Sequence, residues 1–264
     1  MFLQRLITSL ILAPLVLLAL FYGPGWFLSA VVIAILILCA WEWASLLPVE
    51  SILSRLFYIA LVLGTSVITY CFASVYISWA LFWWVLIILA IIAYPASMRW
   101  WGKPWIVAMD GLIVLPLFAL SLMSLYQRPQ GQVLILYLLF LVWAADVGAY
   151  LLGKLCGKHK LIPRVSPGKS WEGLLGGVVL AMLIARIGQW YFAAPLVNWY
   201  ILALATVVIS VFGDLHISIL KRRCGLKDSG HLIPGHGGIL DRLDSLMAAL
   251  PLFYCGLMFF PPGI

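Results

Sequence analysis

Long apolar runs alternate with short polar stretches along the whole chain. Nine runs are long enough, at about 20 residues each, to cross a lipid bilayer as α-helices. They lie at residues 6–22, 26–47, 54–75, 77–97, 104–125, 132–153, 171–193, 196–217 and 239–260. The pattern predicts an all-α, polytopic membrane protein with about nine transmembrane helices, forming a single integral membrane domain over residues 1–264.

The composition agrees with this interpretation. Of the 264 residues, 65% are hydrophobic and only 9% are charged, and the mean hydropathy is +1.13. Soluble domains of this length do not have such a composition. The five cysteines are odd in number and scattered, without a Cys-x-x-Cys pair, which argues against a disulfide framework or a zinc site.

The first apolar run resembles a signal peptide, because Arg5 precedes it. However, no small-residue cleavage site follows, and Gly23-Pro24-Gly25 is typical of a tight turn into the second run. We therefore expect this run to be retained as a helix.

The basic residues are distributed unevenly across the predicted membrane. With nine spans, fourteen of the sixteen Lys and Arg residues fall on the side that holds the N-terminus, and only Arg128 and Arg186 fall on the other. The positive-inside rule then places the N-terminus in the cytoplasm. The net charge of +7 is accounted for by cytoplasmic loops beside anionic lipids, so no nucleic-acid partner is indicated.

A dense polar stretch, Ser218 to Asp244, separates the last two runs. If the preceding run is helical, four polar residues share one face at its end, at spacings i, i+4, i+7 and i+8. They are Asp214, Ser218, Lys221 and Arg222. Asp241 and Asp244, at i and i+3, share a face at the start of the last run, where a helix favours carboxylates.

Carboxylates beside Lys and Arg suit metal-assisted phosphate chemistry. Oxygen ligands bind Mg²⁺, the metal bridges phosphate oxygens, and fixed cations neutralise the developing charge. The glycine-rich turn at 234–238 contains small residues whose backbone N–H groups can approach a phosphate closely.

The connection between the sixth and seventh runs is the second polar segment. Its basic residues alone are typical of a patch that binds anionic lipids. The stretch Ser166 to Gly173 is more informative, because Ser170 can cap the seventh run and Lys169 projects at the N-terminus of that helix, an anion-binding position.

Three further carboxylates lie within apolar runs and outside the two polar segments: Glu42, Asp110 and Asp146. A charge near the bilayer centre costs about 2.5–3.5 kcal/mol, which favours a functional role for Asp146, with a structural partnership to a polar neighbour as the alternative. Glu42 and Asp110 lie close enough to the ends of their runs to reach water, so we expect structural roles for them.

The two polar segments resemble blocks of the phosphatidate cytidylyltransferase (CDP-diacylglycerol synthase) family. The longer block combines a Ser, Lys-Arg, Lys-Asp, His-Gly-Gly and Asp-Arg-x-Asp. The matching residues are Ser218, Lys221-Arg222, Lys227-Asp228, His236-Gly237-Gly238 and Asp241-Arg242-Leu243-Asp244. The shorter block, Ser-Pro-x-Lys-[Ser/Thr]-Trp-Glu-Gly, is matched at 166–173 with Gly168 at the variable position. The resemblance covers about the C-terminal half of the chain.

This resemblance implies transfer of a cytidylyl group from CTP to phosphatidic acid, giving CDP-diacylglycerol and pyrophosphate for phospholipid biosynthesis. The expected location is a bacterial inner membrane, with the active site facing the cytoplasm. N-terminal helices would occupy 1–130, and catalytic helices with cytoplasmic loops at 154–170 and 218–240 would occupy 131–264. The expected partners are CTP, phosphatidic acid and membrane lipids, and a homodimer is suggested by the resemblance alone.

The candidate site residues fall into three groups. We expect Asp214, Asp241 and Asp146 to bind Mg²⁺. A second cation, either divalent or K⁺, is left open, as are Asp244 and Asp228 as further ligands. Nucleotide binding is assigned to Gly237, Gly238 and Arg242, although Arg242 could instead pair with a neighbouring Asp. The remaining catalytic candidates are Lys169, Ser218, Lys221, Arg222, Lys227, His236 and Asp244.

Other functions remain as alternatives. A polyprenol kinase, or a transferase that makes an ether-lipid CDP derivative, would need similar site chemistry. A CDP-alcohol phosphotransferase is disfavoured, because Asp110-Gly111 is not followed by the Ala-Arg of that family. A proton- or cation-coupled transporter, with Asp146 and Asp214 as a relay, is disfavoured, because the polar residues gather at one membrane face and the sequence shows no inverted repeat.

Overall fold

The computed structural model describes residues 14–232, 235 and 237–260. Residues 14–21 are helical. The helices that follow are α1 (Gly25–Ala44), α2 (Ile52–Cys71), α3 (Ala73–Ile92), α4 (Met98–Trp101), α5 (Pro104–Tyr126), α6 (Gly131–Cys156), α7 (Trp171–Tyr191), α8 (Leu196–Arg223) and α9 (Leu240–Phe259). Two short strands, β1 (Lys160–Ile162) and β2 (Ser166–Ser170), lie between α6 and α7.

Eight helices in the described part of the chain are long and apolar enough to cross a membrane, namely all of α1–α9 except α4. Each coincides with a predicted run to within a few residues, and the prediction of an all-α multi-pass membrane protein is confirmed. Residues 6–13 of the first predicted run lie outside the described residues, so the ninth span and the cytoplasmic N-terminus stay predictions.

The largest departure from the predicted bounds is at the end of α8. The helix continues to Arg223, although hydropathy alone ends the run at 217. Its last turn contains Lys221, Arg222 and Arg223, and cations are favourable at a helix C-terminus because they interact with the exposed carbonyl groups. Part of the predicted loop 218–240 is therefore helical.

The connection predicted as a loop at 154–170 contains an antiparallel hairpin, in which Lys160 pairs with Ser170 and Ile162 with Ser166. Ser170 then caps α7, as predicted, by accepting a hydrogen bond from the Gly173 N–H at 3.1 Å. The hairpin is thus joined directly to the first turn of α7.

Two compact units make up the chain. Unit one contains Met1–Met123 and Leu220–Asp244, and unit two contains Ser124–Ile219 and Ser245–Ile264. Most of the 218–240 segment thus groups with the N-terminal helices and not with the helices designated catalytic from sequence. The single membrane domain stays a prediction.

Trp43 of α1 is fully buried in unit one. Its indole N–H donates to the carbonyl of Val107 at 2.9 Å, and the Tyr58 hydroxyl donates to the carbonyl of Ala108 at 3.0 Å. A Cβ at Gly111 would collide with both aromatic side chains. These contacts fix the C-terminal end of α1 against α2 and α5.

Unit two has an aromatic cluster and a glycine-lined helix pair. Tyr137 packs on Trp199 with a centroid separation of 5.0 Å. A Cβ at Gly148 of α6 would collide with the backbone of Gly176 of α7, and one at Gly177 would lie 2.6 Å from the Ala145 carbonyl oxygen. These glycines therefore allow the two helix backbones to touch, as small residues commonly do in membranes.

We expect Gly148→Val to force α6 and α7 apart, because the new side chain meets backbone atoms that cannot move aside. Overpacking of this kind costs about 1–3 kcal/mol, so the melting temperature in detergent should fall by about 5 °C or more. The matched control is Gly64→Val in α2, where an added Cβ meets nothing within 4 Å. Equal melting temperatures for the two variants, measured by fluorescence-detected gel filtration, would contradict close α6–α7 packing.

Candidate active site

The polar face of α8 forms as the spacing predicts. Asp214, Ser218, Lys221 and Arg222 all lie in the helix, and the residues between them, such as Leu215 and Leu220, are buried. The apolar side of the helix is thus occupied by packing, and the polar side chains are available for other contacts.

In unit two, Asp214 is the centre of what we call the Asp214 cluster, formed with Lys169 and Ser218. The Lys169 ammonium lies 2.5 Å from Asp214 Oδ2, and the Ser218 hydroxyl donates to Asp214 Oδ1 at 3.1 Å. The side chains of Lys169 and Asp214 are 23% and 30% exposed. In this cluster, Lys169 of the shorter sequence block (166–173) contacts α8, the helix in which the longer block begins at Ser218.

In unit one, the corresponding Asp241 cluster consists of Asp241, Lys221, Asp228, Ser229 and Gly238. The Lys221 ammonium donates to Asp241 Oδ1 at 2.6 Å, and the N–H groups of Ser229 and Gly238 donate to Oδ2 at 2.8 and 3.0 Å. The side chains of Lys221 and Asp241 are only 11% and 6% exposed. Both oxygens of Asp241 therefore have close donors.

The glycine pair in this turn has a steric reason. Gly237 has a φ of +84°, and a Cβ there would lie 2.9 Å from Asp241 Oδ2 and 3.4 Å from Asp228 Cβ. A Cβ at Gly238 would collide with the Glu42 carboxylate and the Ser229 hydroxyl. The glycines thus let three acidic side chains approach one short segment of backbone.

Glu42 is the site residue that the sequence analysis missed. It is 2% exposed and accepts hydrogen bonds from the Ser229 hydroxyl at 2.7 Å and from the N–H groups of Ile239 and Leu240 at 2.9 Å. Asp110 is 0% exposed and accepts from the Trp83 indole at 2.8 Å. The expectation that Glu42 and Asp110 reach water is wrong, because helix packing closes over both.

A signal for Glu42 was present in the sequence. The last apolar run begins at Ile239, directly after Gly238, and neither residue has a side chain that can accept a hydrogen bond from a helix N-terminus. An acceptor had to come from elsewhere, and Glu42 is an acidic residue in an apolar run without an evident partner.

The other predicted site residues are placed as follows. Arg222 is exposed and its guanidinium donates to the Leu226 carbonyl at 3.1 Å. Lys227, Asp228 and Arg242 are exposed, and Asp244 lies in the first turns of α9 with intermediate burial. Asp146 lies on an exposed face of α6 within unit two.

His236 lies outside the described residues, and the binding roles of all these residues stay predictions.

The donor chemistry of the clusters fits Mg²⁺. Within the described residues, no three His, Cys, Asp or Glu side chains are grouped to bind a metal ion. Mg²⁺ does not require such a cage, because it commonly uses one or two carboxylates together with water and substrate phosphates. Asp228 and Asp241, which approach the same point beside Gly237, supply carboxylate oxygens of this kind.

Each cluster pairs a carboxylate with a lysine ammonium. An ammonium has three donors, so it can bind a carboxylate and a phosphate oxygen together. The combination of carboxylates that can bind a cation and ammonium groups that can bind an anion suits a substrate with several phosphates.

Comparison with known proteins agrees with this chemistry. A phosphatidate cytidylyltransferase of Pseudomonas aeruginosa is 43% identical over 95% of this chain and 94% of its own length. One of Haemophilus influenzae is 37% identical over 95% of this chain and 96% of its own. One of Staphylococcus haemolyticus is 48% identical over 128 residues, 47% of this chain and 49% of its own.

The similarity is not limited to the two polar segments. The model of the cytidylyltransferase family matches residues 3–260, and so includes the N-terminal helices that showed no motif in the sequence analysis. The resemblance inferred from the two blocks is confirmed, and the chain belongs to the cytidylyltransferase family.

Proposed function

We propose that this protein transfers the cytidylyl group of CTP to phosphatidic acid, with CDP-diacylglycerol and pyrophosphate as products. It is a nucleotidyltransferase of phospholipid biosynthesis, as its relatives over 95% of the chain indicate. The structural observation that best supports this function is the Asp214 cluster. In it, Lys169 of the shorter family block binds Asp214, which lies four residues before the start of the longer block at Ser218.

The reaction needs charge compensation more than it needs a base. A phosphate oxygen of phosphatidic acid attacks the α-phosphorus of CTP, and the bond to the oxygen that bridges to the β-phosphorus breaks, which releases pyrophosphate. The attacking oxygen is already anionic at neutral pH. The barrier is therefore dominated by repulsion between anions, which fixed cations and oriented dipoles lower.

We propose Asp214, Asp241 and Asp146 as Mg²⁺ ligands, with a second cation, divalent or K⁺, left open. Their carboxylate oxygens are the ligands that Mg²⁺ prefers. When bound, the ion neutralises charge on the phosphate oxygens and so makes pyrophosphate a better leaving group.

The lysines orient the anions in this proposal. Lys169 and Lys221 are paired with Asp214 and Asp241, and each ammonium has further N–H donors for phosphate oxygens. Arg222 and Lys227 are exposed at the end of α8 and in the following turn, where they can bind phosphates of CTP. Ser218 orients Asp214 through its hydroxyl.

For the location, we propose a bacterial inner membrane with the active site on the cytoplasmic side. Fourteen of the sixteen Lys and Arg residues fall on one side of the predicted topology, and CTP is a cytoplasmic substrate. Membrane lipids are the other partners, and a homodimer remains a proposal that rests on the family resemblance.

The activity is tested with detergent-purified protein, CTP, phosphatidic acid and Mg²⁺, by measuring pyrophosphate and the lipid product. We expect equimolar CDP-diacylglycerol and pyrophosphate, loss of both with excess chelator, and recovery when Mg²⁺ is restored. CTP consumption only with a polyprenol or an ether lipid would instead support one of the alternative enzymes. No CTP consumption with any lipid would contradict the proposed function.

We expect Asp214→Asn and Asp241→Asn each to lower kcat by about 100-fold or more, because a neutral amide is a poor Mg²⁺ ligand and no longer fixes its lysine. The matched control is Glu50→Gln, the same change at an exposed acid of unit one, which should stay within twofold of the wild type. Near-normal turnover of either Asn variant at saturating Mg²⁺ would remove that residue from the proposed metal ligands.

Lys169→Ala should lower kcat/KM for CTP or phosphatidic acid by about tenfold or more, since it removes an ammonium from the Asp214 cluster. Lys160→Ala, in the opposite strand of the same hairpin, is the control for general loss of positive charge at an exposed position. Similar losses in both variants would show that Lys169 contributes only a membrane-surface charge.

A further inference from the structure

A second carboxylate, that of Glu42, contacts the Asp241 cluster in unit one through Ser229. Glu42, near the C-terminal end of α1, is 2% exposed and accepts three hydrogen bonds: from the Ser229 hydroxyl and from the N–H groups of Ile239 and Leu240. Burial of a carboxylate is very unfavourable unless such donors are present. The side chain is therefore fixed in one orientation by the segments that lead into α9.

Helix α9 depends on Glu42 for its N-terminal cap. The helix begins at Leu240, and the preceding Gly238 and Ile239 have no side-chain acceptor for its first N–H groups. Glu42 accepts from the Leu240 N–H, the first of α9, and from the N–H of the preceding Ile239, and it places a negative charge at the positive end of the helix. The first turn of α9, which contains Asp241, is thus anchored to α1.

Two of the three donors to Asp241, Ser229 and Gly238, also lie against Glu42. Ser229 donates its N–H to Asp241 Oδ2 and its hydroxyl to Glu42 Oε2. Gly238 donates its N–H to Asp241, and its Cα lies so close to Glu42 that a Cβ would collide with the Glu42 carboxylate. A displacement of Glu42 would therefore displace both N–H groups that orient Asp241.

The end of α1 and the turn that follows it are held by burial and by hydrogen bonds. Trp43 is fully buried, and the carbonyl of Leu46 accepts a hydrogen bond from the Arg223 guanidinium at 3.1 Å. The Ser45 hydroxyl lies 3.3 Å from the Ser229 carbonyl, to which it donates. The end of α8 and the segment after it are thus each hydrogen-bonded to the turn that follows α1.

We propose that Glu42 is a positioning residue for this reaction: through Ser229 and the N-terminus of α9, it sets the orientation of the Asp241 carboxylate. This inference rests on the proposed function, in which Asp241 acts as a Mg²⁺ ligand. Glu42 contacts the backbone behind Asp241, so its effect is on turnover and on the Mg²⁺ requirement more than on substrate affinity.

The kinetic test is Glu42→Gln, which keeps the shape but replaces one carboxylate oxygen with an NH₂ group that faces N–H donors. We expect kcat to fall by about tenfold or more, KM for both substrates to change less than threefold, and the Mg²⁺ concentration at half-maximal rate to rise at least threefold. Glu42→Asp, which keeps the charge on a shorter side chain, should recover part of kcat.

Two further variants separate positioning from general stability. Ser229→Ala removes one of the three hydrogen bonds to Glu42 but keeps the Ser229 N–H, so kcat should fall less than in Glu42→Gln. Asp110→Asn changes another fully buried carboxylate of unit one and should keep kcat within twofold. An equal loss in Asp110→Asn and Glu42→Gln would overturn the inference, as would a kcat for Glu42→Gln equal to that of the wild type.

Hydrogen–deuterium exchange tests the inference without turnover. In Glu42→Gln, peptides that contain Ser229 and residues 238–240 should exchange at least fivefold faster than in the wild type, and in Asp110→Asn they should not. Unchanged exchange would overturn the inference even if the wild type makes CDP-diacylglycerol. A wild type without this activity would instead contradict the proposed function. If Glu42→Gln does not fold, exchange of the same peptides is measured in Ser229→Ala, where faster exchange supports the inference and unchanged exchange overturns it.

Discussion

A carboxylate that leaves water in a helical membrane protein must find hydrogen-bond donors or a cation, and much of this structure follows from that requirement. Asp241 and Asp214 are each bound by a lysine ammonium. Glu42, by contrast, is bound by a hydroxyl and two backbone N–H groups. A lysine can exchange a carboxylate for a phosphate, whereas backbone donors at a helix N-terminus cannot move without unwinding the helix. In the proposed reaction, the lysine-bound Asp214 and Asp241 are therefore suited to take part directly. Glu42, which is bound by a hydroxyl and by backbone N–H groups, is suited to positioning.

Hydropathy predicted the membrane helices well because the bilayer restricts the possible structures. A segment that crosses it must satisfy its own backbone hydrogen bonds, so about 20 apolar residues almost always form a helix. The spacing of Asp214, Ser218 and Lys221 was equally reliable, because it depends on helix periodicity alone. The cap at Ser170 was predictable for a similar reason, since it is formed between residues close in sequence.

The contacts that the sequence did not reveal join distant parts of the chain. Glu42 and Leu240 are separated by most of the sequence, so the sequence indicates an acid within an apolar run and a helix start without a cap, but not that the two meet. The end of α8 was misplaced because hydropathy counts only apolar residues, whereas its last turn is stabilised by cations at the C-terminus of the helix. The lysine–carboxylate pairs were predictable in part. The sequence indicated that these lysines and aspartates belong to the site, but only the structure shows which lysine binds which aspartate.

The two lysine–carboxylate pairs also differ in how easily they can separate. Lys169 and Asp214 are partly exposed, and an ion pair accessible to water contributes only about 0–1 kcal/mol, so little is lost when one partner turns to another ion. Lys221 and Asp241 are nearly buried, and removing one member of a buried pair costs about 3–5 kcal/mol. In the proposed reaction, Lys169 is therefore the lysine better able to leave its carboxylate for an incoming phosphate. Lys221 is better suited to keep Asp241 in place, together with the backbone that Glu42 anchors from behind.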